Sequence, residues 1–284
     1  MKNVIPEPFR DGLVEVYWAN SKCGIRVKNS CCGSAPIPCL YDSYLVLTGE
    51  TIAMQKNGKW GIINHKNETV CDFVYDRFNK ASEETTLCMA MKNGRWGLVN
   101  SKTGAIATGF EFDDIKPINI KPKTKRPLPN EDYDNDRGDR QDYWAMYKSG
   151  KVFPYDENGN MICPSGFDNI FNLVQYGPTS KDVGFIIESN FKVGILNTLG
   201  RVIRRCDCDE IKQIESYAPY GRSFFCLVAI KRNNKWGLLD RECEVALECE
   251  FDDIKCVGSS LALKHGSKWG VMPLQMVLKQ ITAR

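Results

Sequence analysis

The residue types best able to do chemistry in this chain recur at fixed places. A base stands just ahead of a Trp-Gly pair, or its degenerate equivalent, seven times: Lys22, Lys59, Arg95, Lys151, Lys192, Lys235 and Lys268. An acid follows an aromatic residue in Tyr41-Asp42, Tyr75-Asp76, Phe112-Asp113, Phe167-Asp168 and Phe251-Asp252, and follows a cysteine in Cys208-Asp209. Gathered in a circle, the bases could hold an anion or a nucleic-acid backbone. Laid along the Trp and paired with the acid of the same repeat, they would be structural, because the acids neutralise the circle. We favour that second arrangement. Two of the carboxylates facing each other within about 5–10 Å could instead hydrolyse a glycoside, but acids this regular point to a structural role.

Other catalytic groups are scarce. The two histidines lie in the turn-like strings Asn64-His65-Lys66-Asn67-Glu68 and Lys264-His265-Gly266-Ser267, so neither is expected to act as a general base. No Gly-x-Gly-x-x-Gly follows a strand-like run, and there is no phosphate-binding loop and no His-Glu-x-x-His. The 13 cysteines include no Cys-x-x-Cys, which speaks against a tetrahedral zinc site. Cys39, Cys71, Cys163, Cys206 and Cys249 each lie three to five residues before an Asp, where a reduced thiol serves as a small buried hydrophobe. Asp132, Asp134 and Asp136 have the spacing of a calcium loop, yet Gly138 comes one place late and no Glu stands at position twelve. The expectation is a protein that is not an enzyme and has no cofactor and no metal.

Composition agrees. A chain of 284 residues with 43% hydrophobic and 26% charged content can bury a core without staples. A net charge of +3 from 38 basic and 35 acidic residues is too small a field to point to nucleic acid. The longest wholly apolar run, Phe224 to Ile230, is seven residues, far short of the ~20 needed to span a membrane. The N-terminus carries no apolar leader. A soluble, cytoplasmic protein is expected.

The elements that must position these residues are set by a repeat. Gln55-Lys56-Asn57-Gly58-Lys59-Trp60-Gly61 returns as Met91-Lys92-Asn93-Gly94-Arg95-Trp96-Gly97, as Lys231-Arg232-Asn233-Asn234-Lys235-Trp236-Gly237, and as His265-Gly266-Ser267-Lys268-Trp269-Gly270. Degenerate copies at Lys22-Cys23-Gly24, Lys151-Val152-Phe153 and Lys192-Val193-Gly194 bring the total to seven. From the Gly position to the aromatic position the distances are 17, 14, 15, 14, 14 and 14 residues; from there to the next Gly they are 20, 22, 41, 27, 29 and 19. The first interval is a rigid module and the second contains a variable connection. Asn-Gly between apolar runs predicts β-hairpins whose turn residues take positive φ. Gly after Trp predicts a close backbone approach.

These strings resemble the WG-repeat family, also called KWG repeats. The resemblance implies a bacterial β-repeat binding or scaffold protein without a shared catalytic activity, and it names no ligand. The expected fold is one all-β domain over 1–284, with hairpins around Gly24, Gly61, Gly97, Phe153, Gly194, Gly237 and Gly270 and an inserted loop at 117–142. The last copy has no aromatic-Asp strand after it, whereas Val4-Ile5-Pro6-Glu7-Pro8-Phe9 aligns with Pro36-Ile37-Pro38-Cys39-Leu40-Tyr41. Deficit and surplus together predict a seven-repeat propeller-like toroid of short antiparallel strands, closed by the N-terminal strand. An open β-solenoid is the alternative.

The expected function is a non-catalytic protein-binding module, either an adaptor or an inhibitor- or immunity-type protein. The alternatives are a ring that binds a ligand or nucleic acid through the repeated Lys and Arg, and a carboxylate hydrolase. Another protein is the expected partner; nucleic acid and membrane are not. The three longest connections are consecutive and carry the residue types enriched at binding hot spots. In or beside the first are Lys123, Lys125, Arg126, Tyr133, Asp134, Asp136 and Tyr143; the second holds Tyr176, and the third holds Tyr217, Tyr220 and Arg222.

Overall fold

The computed structural model describes residues 14–27, 37–47, 51–80, 85–119, 142–175, 183–217, 224–240, 243–258, 260–273 and 276. It is all-β, with seven small antiparallel sheets that follow one another along the chain. The first sheet holds β1 (Val14–Ala19), β2 (Lys22–Val27) and β3 (Ile37–Tyr41), and the second β4 (Ser43–Val46), β5 (Thr51–Lys56), β6 (Lys59–Asn64) and β7 (Thr69–Tyr75). The third holds β8 (Arg77–Lys80), β9 (Leu87–Lys92) and β10 (Arg95–Asn100), and the fourth β11 (Asp114–Asn119), β12 (Asp142–Lys148) and β13 (Lys151–Tyr155). The fifth is built from β14 (Asn169–Gln175), β15 (Val183–Ser189), β16 (Lys192–Asn197) and β17 (Val202–Cys208). The sixth has β18 (Glu210–Tyr217), β19 (Phe224–Arg232), β20 (Lys235–Leu239) and β21 (Val245–Phe251); the seventh has β22 (Asp253–Val257), β23 (Ser260–His265) and β24 (Lys268–Pro273).

Each sheet is a meander of up to four positions. In the third and fourth sheets the fourth position is reduced to isolated bridges, Trp96 to Phe112 and Val99 to Ile106 in one, Val152 to Phe167 and Tyr155 to Met161 in the other. The first sheet begins at the second position and the seventh stops at the third. Ile5 to Phe9, the strand expected to close the ring, lies outside the described residues.

The described chain falls into two compact units, one of Met1–Pro117, Asp142–Ser149 and Tyr155–Met161, the other of Ile118–Gln141, Gly150–Pro154 and Ile162–Arg284. Within each unit the core lies between consecutive sheets. In the first unit Cys23, Ile25, Ile37 and Tyr41 of the first sheet pack on Ile52, Met54 and Ile63 of the second. Ala53, Ile62, Cys71 and Tyr75 of that second sheet pack on Phe78, Cys88, Ala90 and Val99 of the third. In the second unit Ile195 and Cys208 of the fifth sheet meet Ile211, Val228, Ile230 and Leu239 of the sixth. Ala229, Trp236 and Leu238 of the sixth then meet Ile254, Leu261 and Leu263 of the seventh. The two-residue period of a strand sends alternate side chains to opposite neighbours, so the second and third strands are apolar on both faces. That is why Phe224 to Ile230, the longest apolar run, is a strand.

The hairpins between the second and third strands take the backbone the sequence predicts. Asn57 and Gly58, Asn93 and Gly94, and Ser149 and Gly150 all have positive φ; Asn190 with Phe191 and Asn233 with Asn234 reach it without glycine. The third strand ends on an Asx turn: the Asn64 Oδ1 accepts backbone N–H groups from Lys66 and Glu68, and Asn197 does the same for Leu199 and Arg201.

Between the third and fourth strands the ladder slips at the glycine. Trp60 pairs with Tyr75 and Ile62 with Cys71, which sets Gly61 alone against Asp72, Phe73 and Val74. The same slip separates Val193 and Cys208 from Ile195 and Arg204, and Trp236 and Phe251 from Leu238 and Leu247. The fourth strand therefore arches over the glycine. A Cβ on Gly61 would lie 2.8 Å from the Cys71 carbonyl oxygen and 2.9 Å from the Phe73 ring. On Gly24 it would lie 2.6 Å from the Ile37 oxygen, and on Gly237 it would strike the Leu247 oxygen.

The opening left by the glycine is used. Where the arching residue is Cys, its thiol reaches over the glycine to a carbonyl on the second strand: Cys39 to Tyr17 at 3.6 Å, Cys206 to Ile187 at 3.7 Å and Cys249 to Ile230 at 3.8 Å. Phe73 and Phe110 fill the same place over Gly61 and Gly97. Burial raises the pKa of Cys206 and Cys249 and pushes that of Cys88 and Cys208 up to about 12, so these thiols stay protonated at neutral pH. Among the described residues no group of three or more His, Cys, Asp or Glu could hold a metal ion, and no helix is long and apolar enough to cross a membrane.

Trp96 and Trp236 are 9% and 6% exposed, whereas Trp60 is half-buried. Trp96→Ala and Trp236→Ala should each lower stability by about 3–5 kcal/mol through lost burial and a cavity, measured by urea denaturation. Gly237→Ala should cost about 1–3 kcal/mol, because backbone, not a flexible side-chain tip, stands in the way. Gly270→Ala, whose Cβ would have only the Leu263 oxygen nearby at 3.9 Å, should change stability by less than about 0.5 kcal/mol.

Candidate functional site

The repeated acids stand at the corners where one sheet hands the chain to the next. Each Asp directly follows the last residue of a fourth position and precedes the first strand of the following sheet. Six bases find their acid there: Lys22 with Asp42, Lys59 with Asp76, Arg95 with Asp113, Lys151 with Asp168, Lys192 with Asp209 and Lys235 with Asp252. The other carboxylate oxygen turns to the hairpin of the following sheet. Asp113 accepts the Ser149 N–H at 2.9 Å, Asp168 the Asn190 N–H at 2.7 Å and Asp252 the Gly266 N–H at 2.6 Å. Asp42 and Asp209 take the equivalent donors from Asn57 and Gly58 and from Asn233 and Asn234. The backbone N–H of the acid completes the joint by donating to a second-strand carbonyl, as Asp76 does to Met91 at 2.8 Å and Asp209 to Lys231 at 2.7 Å.

One carboxylate thus holds the start of its own third strand and the hairpin of the next sheet. The charge pattern that could have bound an anion is spent internally at six of seven places. Lys268, the seventh base, is exposed and has no acid partner among the described residues. Other lysines place their charge over two of the Trp rings: Lys212 stands 3.8 Å from the Trp236 centroid with Lys231 at 5.4 Å, and Lys255 stands 4.3 Å from that of Trp269.

Hydrogen bonds from the paired lysines, with help from backbone N–H groups, hold Asp42, Asp76, Asp168, Asp209 and Asp252 below the usual carboxylate range. An acid held ionised in this way is a poor proton donor at neutral pH. His65 lies in a turn and His265 ends β23 at a hairpin, neither beside a nucleophile among the described contacts.

The predicted partner-binding residues separate into two groups. Lys123, Lys125, Arg126, Tyr133, Asp134, Asp136, Tyr176, Tyr220 and Arg222 lie outside the described residues. Tyr217 ends β18, where it pairs with Phe224 across the mouth of the third connection. Tyr143 stands apart: it is 6% exposed in β12 beside the fully buried Trp144, so it belongs to the core and is withdrawn from any contact surface. Its strand forms the second position of the fourth sheet, where a two-sided apolar pattern is required. Each of the three long connections joins a first strand to a second strand, β11 to β12, β14 to β15 and β18 to β19. In an antiparallel meander that is the end opposite the hairpin and its Asp. Sequence reasoning did not single out Lys268, although the missing aromatic-Asp after Gly270 was the signal.

The acids give a pH dependence of known sign. Their folded pKa lies below the unfolded value of about 3.9, so the stability they confer is complete above about pH 4 and is lost as pH falls through the folded pKa. Urea midpoints should therefore stay level in this respect from pH 7 to 5 and fall below about pH 4. Asp252→Asn should lower the midpoint at pH 7 and make the acid limb shallower.

Comparison with known proteins adds the following. Solved structures of low similarity include a eukaryotic initiation factor (11% identity over 93% of this chain and 72% of that one, TM-score 0.33) and Kluyveromyces lactis Hsv2 (10%, 81% and 72%, TM-score 0.27). The N-terminal domain of Nup159 is similar at 8% identity over 88% of this chain and 83% of that one, with a TM-score of 0.27. Likenesses this distant carry no functional argument. No curated protein matches the chain. The family model described as WG containing repeat matches residues 60–96, the stretch from the Trp of one full copy to the Trp of the next, in line with the resemblance of the repeated strings to that family.

Proposed function

We propose that this chain is a non-catalytic protein-binding module, an adaptor or an inhibitor- or immunity-type protein, that presents its longest connections from a propeller-like frame of seven repeats. The observation that carries this reading is the internal pairing of six of the seven repeat bases with the Asp of their own repeat. Bases committed in this way leave little positive charge for a nucleic-acid backbone, and acids committed in this way are poor proton donors for a hydrolase. What varies between repeats is the connection from first to second strand. Consecutive connections at the same position of a repeat, borne on rigid strands, are a usual way to build a recognition surface. Long loops are also tolerated without function, since closure entropy grows slowly with length. Three in succession, each carrying Tyr, favour recognition.

The test is capture of a partner from cells of the source organism by the tagged chain, followed by single substitutions Tyr133→Ala, Tyr176→Ala, Tyr217→Ala, Tyr220→Ala and Arg222→Ala. At least one should weaken capture tenfold or more while the melting temperature holds. Capture should fall only mildly as salt rises from 50 to 500 mM; a steep fall would favour binding through the repeated bases. Full capture by all five variants would place the interface elsewhere.

A further inference from the structure

The seventh sheet carries half of a joint. β24 has the complete acceptor string Lys268-Trp269-Gly270, pairs with β23 along its length, and has no strand on its other side among the described residues. Three features show what that edge lacks. Trp269 is 43% exposed, against 9% and 6% for Trp96 and Trp236 in the same position under a fourth-position segment. Among the described residues only the Leu263 oxygen, at 3.9 Å, lies near a Cβ on Gly270, where the other glycines of this position are crossed by backbone. Lys268 has no carboxylate partner among the described residues, although every other base of the repeat has one. Lys255 stands over Trp269, and Lys264 pairs across from it.

We propose that β24 is a strand-addition site for an extended segment of another protein, one that ends in an aromatic residue followed at once by Asp or Glu. Main-chain pairing supplies the affinity and side-chain pockets the selectivity, as in other strand additions. The chain's own fourth strands give the register. The incoming aromatic pairs with Trp269 as Phe251 does with Trp236, and the residue four places earlier pairs with Val271 as Leu247 does with Leu238. The residue two before the aromatic crosses Gly270, as Cys249 crosses Gly237. The acid binds Lys268. The segment expected from the sequence to lie here, Ile5 to Phe9, is followed by Arg10, and in this register it would offer Lys268 a base where all six internal fourth-position segments offer an acid. This surface is separate from the long connections and does not depend on their role.

The probe is a fluorescent synthetic peptide with the sequence of Val245–Asp253, titrated into the full chain under reducing conditions. Saturable binding is expected. It should weaken at least tenfold with Lys268→Glu, with Gly270→Val, and with a peptide carrying Asp252→Asn. Gly270→Val should keep the melting temperature, because among the described residues only the Leu263 oxygen, at 3.9 Å, lies near a Cβ there. A peptide carrying Asp252→Lys should recover binding to the Lys268→Glu chain, a reversal that misfolding would not produce. Absence of binding by the full chain would overturn the proposal. So would binding that begins only when residues 1–9 are removed, since the chain's own N-terminus would then fill the edge. Self-association of the full chain that depends on Lys268 and Trp269 would assign the edge to a second copy and overturn it too.

Discussion

The fold depends on one carboxylate per repeat. An Asp at each corner accepts from the base that opens its own third strand and from the backbone of the next hairpin, while its own N–H donates to the next second strand. Ion pairs that water reaches contribute little through attraction alone. The weight of this one rests on geometry: a few atoms satisfy turn donors that would otherwise compete for water, and they set the following sheet against the one before. Apolar side chains then fill the space between sheets, but they cannot set the register, because burial is not directional. The carboxylate supplies direction and the core supplies most of the energy.

The glycine supplies the other constraint. A fourth strand of ordinary register would run straight past the third; here three residues arch over one. In five sheets that arch crosses a Gly and places a Cys or Phe in the vacated volume, whereas in the fourth sheet Phe153 takes the Gly position and Gly166 lies against its ring. The thiols of Cys39, Cys206 and Cys249 act as short apolar groups that also cap a carbonyl on the second strand. Where the bulge is filled by Phe73 or Phe110, the same opening takes a ring. Thiol and ring are alternative fillings of one shape.

Much of this was legible in the sequence. The repeat, the Asn-Gly hairpins, the close approach at Gly and the pairing of Lys with Asp all follow from strings that recur, since a physical constraint met seven times leaves seven traces. What did not recur was hidden. Tyr143 stands beside the longest connection in the sequence and reads as part of it; only the placement of β12 within its sheet buries it, beside Trp144. Lys212 and Lys255, which cover Trp rings, occur at positions whose residue type changes from copy to copy. The donation of each Asp N–H to the next sheet leaves no trace at all, because every backbone carries that group.

The two ends of each sheet answer to different demands. At the hairpin end the residues are fixed by the carboxylate: the base, the turn and the acid must keep a spacing that allows one side chain to reach both. Strands of six residues place the other end about 20 Å away, beyond the reach of that network, so the connection from first to second strand changes length without disturbing it. This separation explains why the interval from Gly to aromatic stays near 14 residues while the return interval ranges from 19 to 41. On β24 the hairpin end carries its base, its Trp and its Gly with no fourth strand among the described residues. The part of the repeat under tightest constraint is there the part with an exposed Trp.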